Sequence, residues 1–242
     1  MSDRIRYLLL QVRNSDDPMR QHEVQSFARV LETTPERIGV FDMLSGPLPI
    51  PEVARTDLFL LGGSGHYSVT DDGQWLEIAL DSLRDLHDSG KPTFASCWGF
   101  QAMARAMGGR VEKDLSHAEV GTHWLKLTAA GLADPVFGPL GETFQGQMGH
   151  EDHVVELPPN VTLLASSDRV KNQAYHFNNR DIYCTQFHPE LNYEDLLLRV
   201  QNYPEYIRRI AGLPPERFPE LLANTPETEL LLKRFIRMVF PD

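Results

Sequence analysis

The sequence predicts an α/β fold in which a mostly parallel sheet is covered by helices on both faces. Three observations carry that expectation. Apolar runs of strand length recur at 7–12, 38–43, 57–61 and 92–96. Amphipathic stretches of helical period lie between them. Strand and helix alternate, which is the pattern of crossover units in a parallel sheet.

Taken in order, Tyr7–Val12 reads as a buried first strand. Residues 18–31, with Met19, Val24, Phe27, Ala28 and Leu31 at roughly helical spacing, read as an amphipathic helix. Ile38–Met43 is a second strand, and the proline-rich 46–51 a loop. Asp57–Leu61 is a third strand ending on Gly62-Gly63-Ser64-Gly65. Apolar residues at 75, 76, 79, 80, 83 and 86 mark a helix. Pro92–Ser96 is a fourth strand, followed at once by a helix over Phe100–Met107 that Gly108-Gly109 stops. Beyond Gly109 the pattern changes to short β-like segments at 124–127, 162–165, 174–177 and 182–187, read as an antiparallel patch added to the sheet. From Tyr193 the chain turns helical again. A last helix is expected to start with Thr225 as N-cap and Pro226 in its first turn, burying Leu231, Phe235 and Met238. No repeat, low-complexity stretch or flexible linker separates these parts. The expected organisation is one domain over 1–192 with a helical C-terminal extension, 193–242, packed on it.

Composition narrows the function classes. At 242 residues the chain is long enough to bury a large core. Its 41% hydrophobic and 24% charged residues suit a globular protein, not a disordered or fibrous one. A formal net charge of -11 argues against nucleic acid or an anionic membrane as partner, since both are approached with basic surface. No apolar run nears membrane-spanning length, and Met1-Ser2-Asp3-Arg4 opens without the apolar stretch of a signal peptide. Two cysteines make no disulfide framework, which points to a reducing cytoplasm.

The most informative segment is Phe94-Ala95-Ser96-Cys97-Trp98-Gly99-Phe100-Gln101. A buried strand meets a helix with almost no loop, and a cysteine stands at the bend. A nucleophile held there projects into the crevice above the carboxyl ends of the strands. The positive end of the helix beneath it favours thiolate over thiol, and Gly99 leaves room for the tight turn. The competing reading is a buried structural cysteine, and the elbow alone leaves both open. Cys184, inside the strand-like Ile182-Tyr183-Cys184-Thr185-Gln186-Phe187, has neither helix terminus nor glycine turn and reads as structural.

A cysteine nucleophile needs a histidine and usually a third group to fix its ring. His188 closes the last core strand in Gln186-Phe187-His188-Pro189-Glu190, which brings it to the edge where Cys97 emerges. Pro189 stiffens the backbone, and Glu190 can turn back toward the ring. In isolation a strand-end histidine more commonly just caps a loop; its pairing with the elbow, not His188 itself, makes it a candidate base. The run His150-Glu151-Asp152-His153 is too crowded for a metal site, and neither metal nor cofactor is expected. Gly62-Gly63-Ser64-Gly65 lacks the Gly-Lys-Ser/Thr ending of a phosphate loop and suits a backbone whose N–H groups face a developing oxyanion.

Together these residues resemble the class I (triad) glutamine amidotransferases, especially the glutaminase domain of GMP synthase and its stand-alone relatives. The resemblance runs from about Asp57 to Glu190. The family's elbow, G-x-C-x-G-x-Q, is met by Cys97, Gly99 and Gln101, and its final His-Pro-Glu by His188, Pro189 and Glu190. Its glycine pair corresponds to Gly62 and Gly63; Met148–Val154 looks like its loop near bound glutamine, and Glu119-Val120-Gly121 like the segment after the elbow helix. Ala95 stands where glycine is usual, Ser96 replaces an aliphatic residue, and Phe100 sits where His or Met is common; the added methyl at 95 is expected to tighten the elbow. GMP synthase carries a following ATP-pyrophosphatase domain marked by Ser-Gly-Gly-x-Asp-Ser. No such loop follows Glu190, so this chain alone is not expected to make GMP.

The resemblance implies a flavodoxin-like amidotransferase fold and a Cys97–His188–Glu190 triad. Backbone N–H groups of Gly63 and Trp98 would form the oxyanion hole, with substrate contacts from Gly62, Gln101, Gly149, His150 and Glu151. The substrate would be glutamine or a γ-glutamyl compound, cleaved through a thioester, with ammonia passed to a synthase on another chain. A free-standing γ-glutamyl hydrolase or peptidase would use the same triad, and a non-catalytic binding protein of the same fold is a third reading that the intact triad disfavours.

Overall fold

A computed structural model describes residues 5–241; Met1-Ser2-Asp3-Arg4, on which the expectation of no signal peptide rested, lies outside them. In chain order the strands are β1 (Tyr7–Gln11), β2 (Ile38–Asp42), β3 (Leu58–Leu61), β4 (Thr93–Ser96), β5 (Arg110–Lys113), β6 (Glu119–Leu127), β7 (Thr143–His150), β8 (Asp152–Glu156), β9 (Val161–Ser166), β10 (Ala174–Phe177) and β11 (Ile182–Thr185). The helices are α1 (Met19–Val30), α2 (Ile50–Arg55), α3 (Gln74–Ser89), α4 (Trp98–Ala106), α5 (Ala129–Ala133), α6 (Tyr193–Asn202), α7 (Pro204–Tyr206), α8 (Pro226–Glu229) and α9 (Leu231–Val239), with a π-helical turn over Ile207–Ala211 after α7.

Among the described residues, nine strands form one sheet in the order β2-β1-β3-β4-β11-β10-β9-β6-β7, and β5 pairs with β8 separately. Pairings from β2 across to β11 are parallel, and those from β11 to β7 antiparallel. This is the mostly parallel sheet with an antiparallel patch that the sequence pattern predicts.

The pleat explains the two-sided burial. Successive side chains point to opposite faces, so Tyr7 and Leu9 of β1 join Leu58, Leu60 and Phe94 on one face, under Phe27 of α1 and Phe235 of α9. Leu8 and Leu10 join Phe59, Leu61 and Ala95 on the other, under Leu80 and Leu83 of α3 and Phe100 and Met103 of α4. Strands buried on both faces read as continuous apolar runs, which is why β1, β3 and β4 were visible in the sequence; β2, at the end of the sheet, is fully buried only at Ile38. A third cluster joins Val120 of β6 to Leu196 and Val200 of α6 and to Ile207 and Phe218 beyond it.

The differences from expectation have local causes. The segment 124–127 is only the end of nine-residue β6. β5, β7 and β8 carried no strand signal: β5 is Arg-Val-Glu-Lys and β7 contains two glycines and two glutamines. Cross-strand pairing makes them strands where propensity does not. Helix α2 begins inside the stretch read as a loop. The last helix is divided into α8 and α9. Thr225 stands at its N-cap without a capping bond, its hydroxyl lying 3.5 Å from Gln147 Nε2 instead. Leu231 and Phe235 are buried and Met238 partly so.

Candidate active site

β4 pairs in parallel with β3 and β11, Leu61 opposite Ala95 and Thr185 opposite Ser96. The chain therefore leaves all three strands at one edge of the sheet. There Cys97 turns from β4 into α4 with φ 52° and ψ -104°, a conformation that costs a non-glycine residue about 1–3 kcal/mol. Two backbone bonds hold it: Cys97 N–H donates to Thr185 O (2.8 Å), and Cys97 O accepts from Gln101 N–H (3.1 Å). Gly99 N–H donates to Gly62 O at 3.1 Å, tying α4 to the end of β3. Ser96 Oγ adds a bond to Leu61 O at 3.3 Å.

Close approach fixes glycine at 99. A Cβ there would lie 2.5 Å from Leu61 Cβ and 3.2 Å from Ala95 Cβ. Gly99→Ala is expected to lower stability by about 1–3 kcal/mol through overpacking, read as a lower urea midpoint of unfolding.

His188 follows β11, and its N–H donates to Gln147 O at 2.9 Å. Its Nδ1 lies 2.6 Å from Glu190 Oε1, and both side chains are buried. The imidazole and Cys97 line one narrow crevice. Burial opposes the imidazolium, but the charges of Glu190 and Cys97 outweigh it and raise the His188 pKa to about 9. Burial likewise works against the Glu190 carboxylate, while His188 and then Arg199 hold its pKa below the usual range. A carboxylate on Nδ1 leaves Nε2 as the ring atom free for chemistry. The Cys97 sulfur lies 3.8 Å from Gly149 O.

Cys184 is wholly buried among Leu10, Phe59 and Ile182, and burial pushes its thiol well up. A thiol so held is a poor nucleophile.

The glycine pair is packed between two polar side chains. A Cβ on Gly62 would come within 2.2 Å of Glu23 Oε1, and one on Gly63 within 2.9 Å of His188 Cε1. Gly63 N–H, expected to face an oxyanion, donates instead to Glu23 Oε1 at 3.1 Å. Trp98 N–H lies in the first turn of α4, where amides have no intrahelical acceptor. In this arrangement only the second of the two expected donors is uncommitted to a carboxylate.

A cavity of about 220 Å³ opens beside Cys97 and Trp98, walled by Gln101, Gly149, Glu151 and Tyr206. Of the expected substrate residues, Gln101, Gly149, His150 and Glu151 line it with different freedom, whereas Gly62 does not and is packed against Glu23. Gln101 Nε2 donates to Asp152 O (2.7 Å) and Gln186 Oε1 (3.0 Å), so its amide nitrogen braces β8. Both ring nitrogens of His150 are engaged, with Asp152 O at 2.9 Å and Glu119 Oε2 at 3.1 Å; its side chain holds the β7–β8 corner and offers no free ring nitrogen to a ligand. Glu151 is bridged by Lys113 Nζ (3.3 Å) and Arg209 Nη1 (3.0 Å), whose side chains are half exposed at the cavity mouth.

Several residues here escaped sequence reasoning. Glu23, Arg13 and Arg199 are buried charges, and Tyr203 donates to Asp17 Oδ2 at 2.7 Å beside them. Arg13 pairs with Glu23 and Asp17 at 3.2 Å each. The signal was present: Glu23 falls four residues after Met19 and four before Phe27, on the buried stripe of α1. Arg199 likewise sits beside Leu196 and Val200 on that of α6. A charge on an apolar stripe needs a partner.

The family model described as "Glutamine amidotransferase class-I" matches residues 41–195. A GMP synthase [glutamine-hydrolyzing] from Xanthomonas oryzae pv. oryzae is 34% identical over 114 residues, which cover 46% of this chain and 21% of that protein. The match therefore spans about a fifth of that relative's length. Gamma-glutamyl peptidase 3 of Arabidopsis thaliana is 26% identical over 201 residues, covering 80% of this chain and 76% of the relative. In fold, the chain is similar to the crystal structure of a glutamine amidotransferase from Thermotoga maritima, with a TM-score of 0.75 at 16% identity over 98% of this chain and 99% of that one. Among the described residues no helix is long and apolar enough to cross a membrane.

Proposed function

This chain belongs to the class I glutamine amidotransferase family, and on that premise we propose that it hydrolyses the side-chain amide of glutamine or a γ-glutamyl compound through a thioester on Cys97. The observation that carries the reading is the meeting of a strained cysteine elbow with a buried His188–Glu190 pair 2.6 Å apart at one edge of the sheet. The Cys97 sulfur attacks the γ-carbonyl carbon, and the C=O electron pair moves to oxygen, where Trp98 N–H stabilises it. His188, oriented by Glu190, delivers a proton to the leaving amine as the C–N bond breaks. The same ring then takes a proton from water, which adds to the thioester and releases the γ-carboxylate and the free thiol. We assign residues 1–192 to the amidohydrolase domain and 193–242 to an extension of it. Tyr206 and Arg209 of that extension reach the cavity.

Two versions of this chemistry differ in where the amine goes. In the first, ammonia passes to a synthase on a separate chain; the likeness to part of a GMP synthase and the commitment of Gly63 N–H to Glu23 favour it. One oxyanion donor withheld costs on the order of 10²–10³ in rate, so a site in this state turns over slowly until something reorients the loop. In the second, the chain acts alone on a γ-glutamyl amide; the likeness to a γ-glutamyl peptidase over 80% of this chain and 76% of that protein favours that.

Steady-state kinetics of the pure chain decides between them. We expect free glutamine to be turned over far below about ten per second, the typical rate of a dedicated enzyme, and stimulation by the acceptor-containing cell extract. Rapid hydrolysis of a γ-glutamyl peptide by the pure chain would establish the second version. Failure to release amine from any member of a γ-glutamyl panel, with or without extract, would overturn both.

A further inference from the structure

Among the described residues Arg199 is the cation that meets the side chains of the His188–Glu190 pair, while Arg29 Nη2 donates to the Glu190 backbone carbonyl at 3.0 Å; nothing in the elbow or His-Pro-Glu motifs points to Arg199. It projects from α6, whose start is fixed by a capping box: Asn192 Oδ1 accepts from Asp195 N–H (2.8 Å) and Asp195 Oδ2 accepts from Asn192 N–H (3.2 Å). Its side chain is 7% exposed. Arg199 Nη1 lies 3.6 Å from Glu190 Oε1 and 3.5 Å from His188 Nδ1, and Nη2 lies 3.8 Å from Glu23 Oε1.

These contacts are electrostatic more than directional. The hydrogen on His188 Nδ1 is directed to Glu190 at 2.6 Å, so that nitrogen has no lone pair to offer a guanidinium. Arg199 Nε has no hydrogen-bond partner. A residue kept for packing or hydrogen bonding would satisfy more of its five donors. Buried so poorly bonded, the guanidinium is tolerated because two buried carboxylates surround it. The groups facing this cluster are Glu23, Arg13 with its partner Asp17, and Arg29 from the α1 side, Cys97 from the elbow, and Tyr203 and Tyr206 from the segment after α6.

We propose that Arg199 is a positioning residue of the hydrolytic site: its charge keeps Glu190 ionised and aimed at His188 and limits how readily the imidazole takes a second proton. The inference rests on the hydrolase reading and deepens it. Its physical signature is simple. Removing a positive charge stabilises the protonated form of every neighbouring group, so all coupled titrations move to higher pH.

The test is the pH profile of Cys97 alkylation by iodoacetamide, alongside kcat/KM for amide hydrolysis, in the wild type and in Arg199→Gln, Arg199→Met and Arg199→Lys. Arg199→Met leaves no buried amide and keeps the test open if Arg199→Gln does not fold. Both charge-removing variants are expected to shift the acid and alkaline limbs upward by about one pH unit or more, and Arg199→Lys to return them toward the wild-type position. Limbs that stay in place while the plateau falls, with the unfolding midpoint unchanged, would overturn the role. So would an Arg199→Lys profile displaced as far as that of Arg199→Gln. The wild-type profile separates this from the function itself: a wild type with no hydrolysis and no pH-dependent Cys97 reactivity removes the hydrolase reading, whereas a bell-shaped wild type with unmoved variants removes only Arg199.

Discussion

Cys97→Ser is expected to lower amide hydrolysis on the order of 10⁴-fold or more, without loss of fold. Serine is close in shape, so the elbow bonds to Thr185 O and Gln101 N–H survive. What goes is the sulfur nucleophile, and a hydroxyl in its place is a far weaker one at neutral pH. The companion experiment uses the other cysteine. Cys184→Ala should leave kcat unchanged and reduce stability by about 1 kcal/mol, because Cys184 is a wholly buried packing residue. Diazo-oxo-norleucine, an electrophile shaped like glutamine, should label Cys97 alone by mass spectrometry. Labelling at Cys184, or equal labelling at both, would sink the assignment of the nucleophile.

Glu190→Gln is expected to lower kcat on the order of 10³- to 10⁴-fold while leaving the protein folded. An amide in the place of a triad carboxylate costs about 10⁴ where it has been removed from such sites, because the ring then takes the wrong tautomer. Here the carboxylate does two things. It accepts from His188 Nδ1 at 2.6 Å, and its charge is a main reason that the imidazole titrates near 9 in spite of burial. A glutamine can present its NH₂ to Nδ1, which places the ring hydrogen on Nε2, facing Cys97, where a base is needed. The His188 titration should fall at the same time, since a buried imidazole without its anion is easier to deprotonate. Nuclear magnetic resonance titration of the ring in both proteins measures this. A Glu190→Gln variant with near wild-type kcat and an unmoved His188 titration would show that Glu190 is not the orienting group.

The two predictions draw on parts of the site that were unequally legible. Cys97, Gly99 and Gln101 form a local string, and so do His188, Pro189 and Glu190. The strand before each could be recognised from a run of apolar residues, so both strings could be placed at strand ends. The charges around them could not. Glu23, Arg13 and Arg199 lie between the end of β1 and α6, up to 186 positions apart, and although stripe position marks Glu23 and Arg199 as buried, it does not say which charges they meet. Only the fold shows that they are buried together.

The same division runs through the whole molecule. Hydrophobic period and chain order determined the parallel half of the sheet, the helices that cover it and the edge at which the two motifs emerge, because a strand buried on both faces has no choice but to be apolar throughout. Tertiary structure alone decided the strands β5, β7 and β8, whose polar and glycine-rich sequences become extended through pairing with a neighbour. It also decided the direction of individual donors. The sequence places Gly63 at the end of β3, but whether its N–H meets a developing oxyanion or a carboxylate depends on Glu23, forty residues earlier, whose burial against Arg13 brings its Oε1 to 3.1 Å from that amide. Periodicity reports which face a residue occupies; a hydrogen bond depends on positions to a few tenths of an ångström, and those are set by packing among segments that the sequence keeps far apart.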